Sequence, residues 1–268
     1  MREHQTRVQD EFSRQAETMV SAAFFTDEWI LGRIREAASL TQGSRVLDLA
    51  CGPGIVSETL AYQAGAVVAY DITPTMLTRA RRRCAEAGLT NVQCMLGLAE
   101  SLPFADETFD VVVNRSALHH FPHPTIALAE MARVTRATGR IVIVDVVSSE
   151  DPEEATLHNA LEVLRDPSHI RMLPTNELLA SLQEAGLEAQ STAMWTNRRE
   201  FDEWLRITNA PERAAPLRAL MGALAKAGVA AGINLHLDGD TVVFDHCSLL
   251  ITAVKRKAEA RNPDAPSP

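Results

Sequence analysis

The chain has 268 residues, 46% of them hydrophobic and 23% charged, which is enough apolar mass for one substantial core and too much for a disordered segment. With 35 acidic against 26 basic side chains the net charge is −9, the wrong sign for following a phosphate backbone, so no nucleic-acid partner is expected. The longest apolar stretches, such as Ile141 to Val147, are far short of the roughly 20 residues a bilayer span needs, and no apolar run follows the N-terminal Met-Arg-Glu-His-Gln-Thr-Arg. The expectation is a cytoplasmic protein with neither membrane span nor secretory signal.

In chain order, Val8, Phe12, Ala16, Met19 and Ala23 recur every three or four residues and predict a helix with one apolar face. Thr26 reads as the N-cap of a second helix, with Asp27 and Glu28 in its first turn and Trp29, Ile30, Ile34 and Ala37 as its buried stripe. From Arg45 onward short Val/Ile/Leu runs alternate with helical stretches. Strands are predicted at Arg45–Ala50, Ala66–Ile72, Val92–Leu96, Phe109–Asn114 and Arg140–Val147. Helices fall at Ile55–Ala64, Thr75–Ala87 and Thr125–Thr135, with Gly88 closing the second. Several strands are continuous apolar runs, which signifies burial on both faces, and the βαβαβ order implies a parallel, doubly wound α/β sheet.

Past Val147 the pattern loosens. A polar, then helical stretch reaches Asp166, and a helix over Thr175–Ala185 ends at Gly186. A strand near Leu187–Trp195, helical sequence over Phe201–Gly228 and a last strand at His246–Lys255 follow. Helices at the N-terminus and before the last strand would cover the carboxyl ends of the strands, where open α/β sheets bind ligands. Arg79, Arg81, Arg82 and Arg83, the one dense basic run, read as a solvated helix face. Cys51, Cys84, Cys94 and Cys247 form no CxxC pair and no Cys/His ligand spacing, so reduced thiols and no metal are expected. His119, His120 and His123 stand close together, but no matching carboxylate or thiolate cluster accompanies them in the sequence.

The most informative segment is Val46-Leu47-Asp48-Leu49-Ala50-Cys51-Gly52-Pro53-Gly54, a buried strand entering a glycine turn and then a helix. Glycines let backbone approach a ligand closely, and a helix N-terminus favours negative charge. A dinucleotide fingerprint would have Gly where Ser57 stands, which argues against a nicotinamide. Asp71 ends the second strand, where a carboxylate can accept hydrogen bonds from two ribose hydroxyls; capping the next helix is its alternative role.

Together, Asp48-x-Ala50-x-Gly52-x-Gly54, Asp71, Gly97-x-Ala99-Glu100-x-Leu102-Pro103-Phe104 and Phe109-Asp110-Val111-Val112 resemble the class I S-adenosylmethionine-dependent methyltransferases. Ala117-Leu118-His119-His120-Phe121 resembles the subgroup that contains the ubiquinone/menaquinone-biosynthesis C-methyltransferases. Leu164 to His169 and Phe201 to Leu205 are similar to a bacterial small-molecule branch of it, and the resemblance spans roughly residues 8–255. It implies a seven-stranded sheet with the last strand antiparallel. It divides the chain into N-terminal helices over the cleft (1–43), a cofactor-binding core (44–147), remaining strands plus a helical lid (148–257) and a disordered tail (258–268).

The resemblance also implies roles. The loop Ala50–Gly54, with Gly52 in it, would meet the methionine part of S-adenosyl-L-methionine and Asp71 its ribose, with Asp48 and Ile72 also counted in the cofactor site. Leu98 and Ala99 would flank the adenine, and Asn114 would border the sulfonium. Three positions depart from the family pattern: Ala50 replaces a usual Gly, Leu98 a common Asp, and Met19 an aromatic residue. His119 and His120, just past the fourth strand, and His169, in the Asp166–His169 turn, are candidates to line the acceptor pocket or take its proton; capping or turn hydrogen bonds are their alternatives. Asp145 is read as a structural hydrogen-bonding group, and Trp195, Phe201 and Trp204 as lid core before acceptor wall. The Asn/Asp-Pro-Pro-aromatic turn of amino-methyltransferases is replaced by Asn114-Arg115-Ser116-Ala117. The function implied is methyl transfer to a C or O atom of a small, largely apolar metabolite, releasing S-adenosyl-L-homocysteine. Its alternatives are a cofactor held structurally during a non-methyl reaction such as cyclisation, or a non-catalytic binding module. A homodimer is compatible with the apolar N-terminal helices.

Overall fold

Residues 2–256 are described in the computed structural model of the chain; the tail expected to be disordered, 258–268, lies outside the described residues. Helix α1 (Arg2–Met19) carries the expected apolar face, with Phe12, Ala16 and Met19 packed against Met76. Glu11 and Gln15 are buried on the same helix because each meets a polar partner across the cleft, Arg213 and Asp166 respectively. Ala23 does not continue α1; it opens a separate turn, α2 (Ala23–Thr26).

Helix α3 (Glu28–Ala38) is capped by Asp27 and not by Thr26. Asp27 Oδ1 accepts from the backbone N–H of Trp29 at 2.8 Å and of Ile30 at 3.1 Å, whereas the Thr26 hydroxyl is committed to the Ala22 carbonyl. The buried stripe keeps Ile30 and Ile34 as expected and takes Leu31 and Ala38 in place of Trp29 and Ala37. Trp29, expected inside, is 55% exposed and packs edge-on against Trp195.

Five parallel strands follow: β1 (Arg45–Leu49), β2 (Ala66–Asp71), β3 (Val92–Leu96), β4 (Phe109–Arg115) and β5 (Thr135–Val147). Helices α4 (Ile55–Ala61), α5 (Pro74–Glu86) and α6 (Pro124–Val134) connect them. Alternate residues feed opposite cores: Leu47, Val112 and Ile141 on one face, Val46, Val111 and Val142 on the other. Then come α7 (Pro152–Arg165), α8 (Thr175–Glu184), β6 (Leu187–Glu200), α9 (Phe201–Arg206), α10 (Ala214–Lys226), β7 (His236–Asp238) and β8 (Thr241–Lys255).

The sheet order is β3-β2-β1-β4-β5-β8-β6, with β8 antiparallel to both neighbours. The expected doubly wound sheet is present. One short strand is added to the seven expected: β7 forms a hairpin with β8, and three residues are too few to give a periodic signal. Strand β6 runs past Trp195 to Glu200; its outer side is exposed, and polar residues there mask the strand. Helices α7, α9 and α10 and the start of β8 enclose a third core containing Leu161, Phe201, Trp204, Leu217, Met221 and Phe244. Phe201 and Trp204 therefore stabilise the insertion. The basic run on α5 is paired: Arg79 with Glu17, Arg82 with Glu86 and Arg83 with Glu58.

Candidate active site

The loops after β1, β2 and β4 meet where the strand order reverses, between β1 and β4. That is where open α/β sheets leave a crevice at the carboxyl edge. The loop after β1 turns through three left-handed residues, Ala50 (φ +56°), Gly52 (φ +53°) and Gly54 (φ +82°). A Cβ on Gly54 would lie 2.8 Å from the Ala80 Cβ and 2.9 Å from its Cα, so glycine is needed there to seat α4 against α5. Ala50 holds the same conformation with a side chain, at a cost of about 1–2 kcal/mol.

Asp71 ties this loop in place. Its Oδ2 accepts from the Gly52 N–H and its Oδ1 from the Thr73 N–H, both at 2.8 Å. The carboxylate thus braces the start of α5, yet keeps about two of its four lone-pair sites for a ligand. Burial raises its pKa, and the backbone N–H groups of Thr73 and Gly52 partly offset that. Beneath the loop, the Ser57 hydroxyl donates to Asp48 Oδ2 at 2.5 Å, and burial pushes the Asp48 carboxyl up to about 7.

Three adjoining cavities run along this edge. The first, about 670 Å³, is walled by Asp48, Ala50, Gly52, Asp71, Ile72 and Arg115, among others. A second, about 400 Å³, shares Ala50, Asp71 and Ile72 with it and continues to Leu98 and Ala99. A third, about 560 Å³, shares Phe12, Met19, Phe25 and Ser116 with the first and extends to Glu162 and Arg165 on α7 and Arg199 on β6. His120 borders all three. Of the nine expected cofactor-site residues, seven thus wall one continuous cleft, and Gly54 shapes its loop against α5 without lining it.

Asn114 is the ninth. Its side chain is fully buried, its Nδ2 donates to the Leu49 carbonyl at 2.9 Å, and it braces β1 against β4 instead of walling any of these cavities. The next residues, Arg115 and Ser116, take the wall position. Sequence reasoning passed over Arg115, whose guanidinium donates to the Phe24 and Phe25 carbonyls at 2.8 Å each and clasps α2 over the cleft. Burial lowers its pKa to about 10.

The third cavity gathers His119, His120 and His169, whose ring centroids lie 4.4, 5.4 and 6.0 Å apart pairwise. Their environments separate them. His119 Nδ1 meets Asp145 Oδ1 at 2.5 Å. Asp145 is fixed in turn by the N–H groups of Val146 and Leu118. Burial alone would lower the His119 pKa, but the Asp145 carboxylate outweighs it and the net direction is up. His120 donates from Nδ1 to the Ser168 carbonyl at 3.0 Å, and burial drops it to about 4. His169 donates from Nε2 to Asn159 Oδ1 at 2.8 Å and falls to about 3, again through burial.

Glu162, Arg165, Asp166 and Arg199 complete the floor of this cavity, with Gln15 from α1 reaching Asp166 at 2.7 Å. Trp195, Phe201 and Trp204 are not in its wall; the apolar contribution comes from Phe12, Met19, Phe24 and Phe25. This cavity is therefore lined partly by apolar and partly by charged side chains, whereas the metabolite was expected to be largely apolar. Arg165 and Asp166 fall in the Leu164–His169 stretch singled out in the sequence, whereas Gln15 on α1, Glu162 on α7 and Arg199 on β6 belong to no local motif.

Among known proteins, residues 47–143 match the family described as "Methyltransferase domain". The uncharacterized methyltransferase YcgJ of Bacillus subtilis is 32% identical over 247 residues, 91% of this chain and 98% of the relative. The crystal structure of YcgJ superposes with a TM-score of 0.79 at 30% identity, covering 85% of this chain and 98% of that one. A demethylmenaquinone methyltransferase of Clavibacter sepedonicus is 30% identical over 66% of this chain and 69% of its own length. The [4+2]-cyclase SpnF shares the fold, at a TM-score of 0.59 and 20% identity over 85% of this chain and 81% of that one. No helix among the described residues is long and apolar enough to cross a membrane. The glycine loop braced by a strand-end carboxylate, the strand order and a relative matched over nearly its whole length establish one conclusion: the chain belongs to the class I S-adenosylmethionine-dependent methyltransferases.

Proposed function

We propose that this methyltransferase transfers a methyl group to a protic C or O atom of a small molecule bound between the α1 helix and the lid, with His119 taking the displaced proton. The observation that carries this reading is the His119–Asp145 pair at 2.5 Å, in a cavity that shares walls with the glycine-loop cleft. When bound, S-adenosylmethionine supplies a methyl group already activated on a positive sulfur. Its ribose fits the lone pairs left on Asp71, and its adenine the wall formed by Ile72, Leu98 and Ala99. Ala50 and Gly52 present backbone to the methionine part, Gly54 lets the loop turn into α4 against α5, and Asp48 offers negative charge beneath it. Leu98 cannot accept from the adenine amino group as a carboxylate would. One such bond is worth roughly 0.5–1.5 kcal/mol, so affinity falls by about tenfold at most and binding survives.

The chain's own part in the chemistry is alignment and proton removal. Asp145 holds the Nδ1 proton of His119, which leaves Nε2 to accept the acceptor's proton. His120 and His169, both neutral, orient the acceptor as walls and hydrogen-bonding groups. Phe12, Met19 and Phe25 face its apolar part and keep water from the reacting atoms, while its polar part lies on the charged floor. Residues 1–43 act as a cover over the cleft, and the 148–257 insertion as the opposite wall.

The test is calorimetric titration with S-adenosylmethionine and with S-adenosylhomocysteine, followed by transfer of a labelled methyl group to small molecules of a bacterial extract. Micromolar binding of both, with label incorporated and stoichiometric S-adenosylhomocysteine formed, is the expected result. Binding of neither would sink the cofactor assignment. Binding without consumption would favour a structurally held cofactor and a different reaction.

A further inference from the structure

Glu162 and His246 of the third cavity form, with His158 beside them, a cluster that methyl transfer does not require. Helix α7 sets His158 and Glu162 four residues apart on one face, and β8 sets His246 opposite them. The three side chains are 2%, 4% and 4% exposed, and their ligand atoms lie within 4.8 Å of one another. Both ring nitrogens of His158 are buried without a hydrogen-bond partner. His246 Nε2 stands 3.0 Å from Glu162 Oε1, yet out of hydrogen-bond alignment. Metal bonds of about 2.0–2.2 Å give neighbouring ligand atoms a separation of about 2.9–3.5 Å, so this edge has the length a shared cation would impose.

The cavity beside the cluster is lined by two carboxylates, Glu162 and Asp166, and two guanidinium groups, Arg165 and Arg199, so the reading rests on the unpartnered histidines and not on charge. Arg165 lies 3.0 Å from Glu162 Oε2 and opposes a cation directly. Arg199, held by Glu203, lies 3.5 Å from His246 Nδ1, the outer limit of a hydrogen bond; ligation through Nε2 moves the ring proton to Nδ1 and loosens that contact. Trp204 donates to Glu162 Oε1 at 3.1 Å and fixes the carboxylate's orientation.

We propose that His158, Glu162 and His246 bind one divalent transition-metal ion of the zinc, cobalt and iron type. Two imidazoles and a carboxylate suit such ions and not magnesium or calcium. Glu162 and His246 also border the acceptor cavity, so a further coordination position faces it and can take an oxygen of the acceptor.

The full chain, stripped with chelator, is titrated with Co²⁺ and then with Zn²⁺, with and without S-adenosylmethionine. The expected result is one equivalent of Co²⁺, with a visible ligand-field spectrum, displaced by Zn²⁺. His158→Phe keeps the ring volume and removes the nitrogens. Its Co²⁺ affinity should fall by more than the about 10–100-fold that loss of a supporting hydrogen bond costs a metal site, with S-adenosylmethionine affinity unchanged. Unaltered Co²⁺ binding in that variant, or none in the wild type, overturns the proposal without touching the methyltransferase reading. Should His158→Phe fail to fold, X-ray absorption of the Zn²⁺-loaded wild type decides. Scattering from two imidazoles supports the site, and its absence refutes it.

Discussion

Ala50 and Gly54 sit in the same turn with the same handedness, and their neighbours make their substitutions differ. Ala50→Gly removes left-handed strain while loosening the unfolded chain, so stability should change by no more than about 1 kcal/mol in a thermal melt. Gly54→Ala drives a methyl group into Ala80 on α5; both Tm and S-adenosylmethionine affinity should fall. At Asp71, alanine removes the ribose acceptor and also frees the Gly52 and Thr73 N–H groups, so calorimetry should register a large loss of cofactor affinity. His119→Gln should lower turnover by about 10²–10⁴-fold with cofactor affinity retained. The base works only when neutral, so the rate of the wild type should rise with pH through a pKa above the ordinary 6.5 of histidine. Asp145→Asn removes the carboxylate that raises it; the rising limb should move to lower pH and the plateau should drop. A limb that stays in place would exclude His119 as the base.

At the scale of elements, the cleft is closed by contacts that no periodicity encodes. Arg115, at the end of β4, clasps α2 through two backbone carbonyls, and Gln9 on α1 donates to the Ile72 carbonyl at 2.9 Å. Arg115→Met keeps the length of the side chain and loses both clasping bonds. Hydrogen exchange should then quicken over residues 20–27 in the absence of cofactor, while the sheet stays protected. The helices and parallel strands of the core were legible because each repeats its pattern over several turns or residues. Asp27 as a cap was hidden by Thr26, whose hydroxyl turned to a local carbonyl. Strand β7 was too short to signal, and the outer half of β6 too polar.

For the whole molecule, the ionisable groups of the cleft set opposing limits on stability. His120, His158 and His169 have folded pKa values of about 4, 3 and 3, depressed by burial from 6.5. Their contribution is complete above 6.5 and is lost as pH falls toward those values, since the unfolded chain then binds protons that the fold resists. Asp48 works the other way. Its folded pKa of about 7 lies above the ordinary 3.8, so its contribution is present at low pH and is lost as pH rises through 7. Thermal melts of the cofactor-free protein should show a steep fall below pH 6, opposed by Asp48 between about pH 4 and 7, because three histidines outweigh one carboxyl. S-adenosylmethionine, whose positive charge favours ionised Asp48, should raise Tm more at pH 8 than at pH 5. A cofactor-induced rise in Tm indifferent to pH would separate Asp48 from the binding site.

The amino-acid sequence alone determined the doubly wound core, the glycine loop, the strand-end carboxylate Asp71 and, through them, the cofactor. Those features are local, since a strand, a turn and the next helix lie within about 25 residues and carry their own patterns. On the proposed acceptor side the sequence pointed to His119, His120 and His169, and tertiary structure supplied the rest. Gln15, Glu162, Asp166, Arg199 and His246 come from α1, α7, the loop after it, β6 and β8, up to 231 positions apart, and meet only in the folded chain. It also moved the wall of the cleft from Asn114 to Arg115. Successive strand residues point to opposite faces, and which of the two faces the cleft depends on what packs behind the other.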